Sequence, residues 1–427
     1  MRFSLAAGVA KARLMTVRIS LRIIFLTLPL LALTGCHFSV GGDQKDSASV
    51  TSKTAAQAPA SPSVQPSGAD PLAARDALQG AKVDQPYPDP EQRPMMQAQV
   101  VLDRLGFTPG VVDGKSGIST RNAISGFQQA NELTPTGTLD QPTVAALIKF
   151  NNIPATRVVT IPVDFAAGPF ERMPKSPEDQ AKLSSLGYET LDEKLAERFH
   201  TTIDTLKLLN PNGVPAGLAS TAPSVTPGPS ATPAAAGDNS ATQPKPVSIF
   251  HAGQQIRVPN AGGDVVEAGA VSDTAWAQTL AMLGVGTAQP KVAKVVVSKS
   301  KGTLSAFDDA GKLVAVYTAT MGSTHDPLPL GQWKIQGVSH NPQFHYNPAL
   351  FWDAKSTSRK QLLPAGPNGP VGVVWIDLNI PHYGIHGTPH PETIGRAESH
   401  GCVRLTNWDA ARLAQMVHAG TAVSFEA

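Results

Sequence analysis

The stretch IHGTPHPETIGRAESHGCVRLTN, residues 385–407, holds His386, His390, His400 and Cys402, with His382 just upstream. Cysteine occurs only twice in the 427 residues, and the other copy, Cys36, lies far away near the N-terminus. Two chemistries want such a cluster. Zinc takes His and thiolate ligands. However, His382, His386 and His390 would share a face only on a helix, and the prolines and glycines around them break one. There is also no second cysteine nearby for a structural metal site, so no metal is expected. The other chemistry is nucleophilic catalysis by a thiol, which needs a base within hydrogen-bond reach. The apolar run leading into IHGT puts His386 at a strand end, and a loop of about a dozen residues is long enough to bring Cys402 back beside it. Gly401 lets backbone approach a substrate closely, and successive amides there suit an oxyanion. Arg404 suits a carboxylate. His400 is nearer in sequence than His386, but neighbouring side chains on extended chain point to opposite faces, so His386 is the expected base.

Working outward, KVVVSKS, TLSAFD, LVAVYTATMG, GQWKIQGVS and VGVVWIDL read as strands between turn residues. They predict a mainly β domain, sandwich or barrel-like, over 291–427. NWDAARLAQMVHAG predicts a closing helix that begins at an Asn407 cap and stops before Gly420.

IHGTPHPETIGRAESHGCVRLTN resembles the signature of the YkuD-like L,D-transpeptidases: a histidine, a loop, then Ser/Thr-His-Gly-Cys. The likeness extends upstream through VVVSKSKGTLSAFDDAGKLVAVYTATMGSTHDPLPLGQWKI and covers about residues 292–426. It implies that Cys402 is the acyl-accepting nucleophile, His386 its general base, and the Gly387 carbonyl the group that orients the imidazole. It further implies that Ser399 and His400 shape the site, that the Gly401 and Cys402 amides form the oxyanion hole, and that Arg404 holds the site or a substrate carboxylate. The implied substrate is a peptidoglycan stem peptide, cut between its third and fourth residues with release of D-Ala. The acyl group would pass to an amine on another stem or on a protein. Water as acceptor would make the enzyme an L,D-carboxypeptidase, and a degenerate site would leave a non-catalytic wall-binding anchor. No cofactor is implied. Two features depart from the family pattern: Leu328-Pro329-Leu330-Gly331 stands where Thr-Pro-x-Gly is common, and the loop from His386 to Ser399 is short.

Farther out, the chain is modular. Arg13, Arg18 and Arg22 precede the apolar run Ile23–Leu33, which is too short to span a bilayer and reads as an export signal over 1–35. Met15 would begin a more ordinary signal length. Leu33-Thr34-Gly35-Cys36 resembles a lipoprotein box, implying lipid on Cys36 and a membrane-anchored protein facing the periplasm. His37 after the cysteine favours the outer membrane over the inner. Residues 36–88, rich in Ser, Ala, Gln and Pro, read as a flexible tether. With Cys36 taken by lipid, Cys402 has no disulfide partner in an oxidising compartment.

Residues 89–152 predict three short helices around one core. VVLDRLGF through TGTLDQPTVAAL, with Phe127-Gln128, resembles the type 1 peptidoglycan-binding module. Residues 186–260 give two helices, NPN and the strand in AGQQIRVP. They resemble a LysM-like glycan-binding unit split by an Ala/Pro/Ser-rich insertion over 213–247. Residues 261–290 read as a linker. The fold class is therefore multidomain α+β. A formal net charge of +2, from 35 basic and 33 acidic residues with no concentrated basic face, excludes a nucleic-acid binder.

Overall fold

The computed structural model describes residues 87–218 and 247–427, apart from 353, 355 and 356. The expected signal, Cys36, nearly all of the tether and most of the insertion lie outside the described residues. Among the described residues no helix is long and apolar enough to cross a membrane.

The first module is built from α1 (Pro94–Arg104), the two-residue β1 (Phe107–Thr108), α2 (Ile118–Ala130) and α3 (Gln141–Leu147). Val100, Leu102, Phe107, Ile124, Phe127 and Phe150 fill its core. Two buried glutamines explain its loops. The Gln99 side chain accepts from the Asp113 and Gly114 amides and donates to the Lys115 carbonyl, which fixes the DGK turn. The Gln128 side chain accepts from the Gly137 amide and donates to the Thr138 carbonyl, which fixes TGT before the Asp140 cap of α3. Each meets turn amides that would otherwise need another partner.

The second unit has the order β-α-α-β. Strand β2 (Thr156–Thr160) pairs antiparallel with β3 (Gln255–Pro259), and α4 (Leu191–Arg198) and α5 (Ile203–Leu209) lie between them in sequence. Leu195, Phe199, Leu206, Ile256 and Val258 form its core. Its first strand falls outside the expected 186–260 span, because 30 residues, with a short helix at Pro177–Gln180 among them, separate β2 from α4. A second correction concerns 261–290. That stretch is not a linker: α6 (Thr274–Leu283) starts at an Asp273 cap and ends at left-handed Gly284. Trp276, Leu280 and Leu283 join the core of the following domain.

That domain holds β4 (Lys294–Ser298), β5 (Thr303–Phe307), β6 (Leu313–Thr318), β7 (Thr320–Met321), β8 (Gly331–His340), the β9 (Phe344–Tyr346) and β10 (Gln361–Leu363) hairpin, β11 (Val374–Leu378), β12 (Gly384–His386), β13 (Val403–Arg404), helix α7 (Asn407–Met416) and β14 (Ala422–Glu426). One mixed sheet runs β1-β6-β5-β4-β14-β8-β11-β12-β13-β7. The long β8 turns its corner: residues 331–334 pair with β14, and 335–340 pair with β11. Helix α7 is buried on nearly every side, with Trp408 wholly enclosed. The architecture is α+β, with a helical N-terminal region and a mainly β C-terminal domain.

The modules are not beads on a string. Strand β1 adds parallel to β6, and a side chain at Gly126 of α2 would overlap Val316. Asp103 of α1 accepts from both Arg412 terminal nitrogens at 3.0 and 2.9 Å, and His200 lies 3.1 Å away. The other His200 nitrogen faces the Leu283 carbonyl, and its ring stacks on Trp408. Burial alone would raise the Asp103 carboxyl, but Arg412 and His200 hold it well below the usual range. One buried carboxylate thus ties together three parts of the chain.

Candidate active site

Strands β12 and β13 run parallel, with Ile385 opposite Val403 and His386 opposite Arg404. This register returns the chain from His386 to the cysteine loop. His386, His400, Cys402 and Arg404 line one cavity of about 780 Å³.

The imidazole of His386 is 4% exposed and stacks on Trp375 across the sheet, with centroids 5.6 Å apart. Its Nδ1 lies 2.7 Å from the Gly387 carbonyl. A carbonyl only accepts, so Nδ1 carries the proton and Nε2 keeps its lone pair. Burial and the Arg404 guanidinium push this histidine down to about 4, against the Gly387 carbonyl, which favours the protonated ring. Burial likewise pushes the Cys402 thiol up, against the Gly384 backbone and Arg404. At neutral pH the pair is therefore thiol and neutral imidazole, not a preformed ion pair. The half-buried Cys402 donates from Sγ to the His382 carbonyl, 3.6 Å away.

The loop before Cys402 is held by Ser399. Its hydroxyl accepts from the Gly322 amide at 2.6 Å and donates to the Cys402 carbonyl at 2.7 Å. Gly401 sits at φ +93°, a left-handed conformation, and a Cβ there would overlap the Tyr383 ring. Among the described residues, neither the Gly401 nor the Cys402 amide donates to a backbone carbonyl. His400 packs against Phe351 and Trp352. Arg404 donates to the Glu398 carbonyl at 3.3 Å. His390 lies outside this cavity, facing Glu392.

Two residues of the site were not singled out from sequence: Trp375 backs the imidazole, and Phe351 lines the cavity. His382, weighed there only as a metal ligand, supplies the carbonyl that meets Sγ and itself sits at φ +69°. A signal for Phe351 was available. Aromatics are 6% of the chain, yet FHYNPALFW at 344–352 carries four of them.

Comparisons with known proteins bear on two segments. Residues 293–424 match the YkuD family model, described as an L,D-transpeptidase catalytic domain. Residues 92–147 match the model of a peptidoglycan-binding domain. A Bacillus licheniformis protein named as an L,D-transpeptidase, YkuD, is 33% identical over 131 residues, 31% of this chain and 64% of that protein. The Bacillus subtilis protein of the same name is 50% identical over 58 residues, 14% of this chain and 35% of that protein. The chain thus spans less than two thirds of the length of either. An L,D-transpeptidase structure from Mycobacterium smegmatis has 20% identity and a TM-score of 0.26, over 31% of this chain and 58% of that one. One from Stackebrandtia nassauensis has 24% identity and a TM-score of 0.24, over 32% and 56%. Scores this low carry no argument.

Proposed function

The chain carries a YkuD-type L,D-transpeptidase catalytic domain and a peptidoglycan-binding module, and from that premise we propose that it is an exported cell-wall L,D-transpeptidase using Cys402 as nucleophile. The donor is a stem tetrapeptide. Cys402 Sγ attacks the carbonyl of its third residue while His386 Nε2 takes the thiol proton. The Gly401 and Cys402 amides receive the oxyanion, and the imidazolium returns the proton to the leaving D-Ala amine. An acceptor amine on another stem, or on a protein, then attacks the thioester. His386 takes the amine proton, and the thiol is restored. These are two ping-pong half-reactions without a cofactor. Arg404 grips a substrate carboxylate or holds the loop, while Ser399 and His400 shape the site.

The observation that carries this reading is the His386 ring. Its Nδ1 proton is committed to the Gly387 carbonyl, and it shares a cavity with the lone described thiol. A neutral, buried imidazole is the general base a protonated thiol needs. The peptidoglycan-binding module, and the β-α-α-β unit read as LysM-like, would raise the local concentration of wall substrate. Lipid on Cys36 would keep the enzyme anchored in the periplasm, more plausibly at the outer membrane.

The test is to incubate the chain with disaccharide-tetrapeptide and follow products by mass spectrometry. Transpeptidation gives D-Ala and a cross-linked dimer, whereas tripeptide without dimer would indicate hydrolysis. Equal product from the wild type and Cys402→Ser would end the enzymatic reading.

A further inference from the structure

The Gly387 carbonyl sets the tautomer of His386, yet the peptide that carries it lies just past the end of β12. The backbone ladder holds the preceding peptide, through the Gly387 amide on the Val374 carbonyl at 3.4 Å and the Leu405 amide on the His386 carbonyl at 2.8 Å. What packs on Gly387 is the side chain of Asn407, the first residue of α7. A Cβ at Gly387, or at neighbouring Gly372, would overlap Asn407 Oδ1. Both glycines are therefore pressed against one buried carboxamide.

That carboxamide is held from within the catalytic domain and, at its shortest bond, from outside it. Asn407 Oδ1 accepts from the Val373 amide at 3.3 Å. Its Nδ2 donates to the Pro367 carbonyl at 3.1 Å and, more closely, to Glu197 Oε1 at 2.8 Å. Glu197 belongs to α4 of the β-α-α-β unit, 210 residues away in sequence. It is buried, and its other oxygen accepts from the Tyr188 hydroxyl. We propose that Glu197 is a positioning residue for the thiol chemistry: by holding Asn407 it fixes the Gly387 peptide, and through that carbonyl the orientation and tautomer of His386. The β-α-α-β unit is then part of the catalytic apparatus, beyond any role in holding glycan. This rests on the proposed reaction only for its kinetic readout.

Burial raises the Glu197 carboxyl to about 7, against its hydrogen bonds from Tyr188 and Asn407. Near neutrality it takes both protonation forms, and both offer Oε1 as an acceptor. Glutamine keeps that acceptor, whereas alanine removes it and leaves an Asn407 N–H short of a partner.

The experiment uses the full chain. Glu197→Ala should lower kcat for D-Ala release about tenfold with KM within about twofold, the pattern of misplaced catalytic geometry. Glu197→Gln should restore kcat to within about twofold of wild type. Nitrogen-15 shifts of His386 should report Nδ1–H in the wild type and Glu197→Gln, and a tautomer mixture in Glu197→Ala. If Glu197→Ala does not fold, Asn407→Ser removes the same bond from the other side and should lose a similar factor in kcat. A lowered melting temperature with wild-type kcat and an unchanged His386 spectrum would overturn the proposal, as would a Glu197→Gln variant as impaired as Glu197→Ala. If the wild type releases no D-Ala, the functional reading fails, and the His386 spectra of the same variants still decide this one.

Discussion

At the scale of single residues, the proposed chemistry turns on a base that stays neutral. Burial pushes His386 down to about 4 from the ordinary value of about 6.5. A lowered value means that protonation, and loss of the base, comes only at lower pH. At pH 5 such a ring is roughly nine-tenths neutral, against about 3% for an unperturbed histidine. The acid limb of kcat/KM for D-Ala release should therefore fall near pH 4. A limb near 6.5 would mean that another group limits the reaction. Gly401 gives a second prediction. Its φ of +93° and the Tyr383 ring leave no room for a Cβ. Gly401→Ala should displace the adjoining amides and lower kcat by about a hundredfold, the usual cost of losing one oxyanion donor, with the chain still folded by circular dichroism. The residues of this site were legible in sequence because they are local. HGC and Arg404 fall within five positions, and the IHGT histidine lies on the adjoining parallel strand. Trp375 and Asn407 were not, because their roles depend on what packs across from them.

At the scale of elements, the region taken for a linker is the instructive failure. Residues 273–284 carry an Asp cap, apolar side chains at 276, 280 and 283, and a terminal Gly, all ordinary helix signals. Trp276 is 2% exposed and stacks on His340 at 4.1 Å, so the helix is structural. Trp276→Ala should cost about 3–5 kcal/mol, read as a fall in the denaturant midpoint. A change below about 0.5 kcal/mol, the size of a surface substitution, would mean that the helix is an appendage after all. Strand β2 escaped for a different reason. Its partner β3 follows about a hundred residues later, and a five-residue strand with half-exposed positions has little alternation to read.

At the scale of the whole molecule, the sequence is modular but the described structure is joined. Composition and motif divide the sequence into peptidoglycan-binding, LysM-like and catalytic parts, but they missed β2 and read α6 as linker. They could not show that β1 would extend the catalytic sheet, or that Asp103, His200 and Arg412 would meet in one buried cluster. Two-residue pairings and single buried charges leave no periodic trace. Residues 87–427 should consequently unfold in one calorimetric transition, with calorimetric and van't Hoff enthalpies equal. Separate transitions for the helical module and the β domain would show that these contacts do not couple them.

The central claim is that Cys402 carries the acyl group, and the most direct test is to trap it. After brief incubation with disaccharide-tetrapeptide and an acid quench, digestion and mass spectrometry should find the disaccharide-tripeptide acyl group on the peptide containing Cys402, with one D-Ala released per adduct. Hydroxylamine should remove the adduct, as expected for a thioester. D-Ala release without any adduct on Cys402, or undiminished release by Cys402→Ser, would contradict the account.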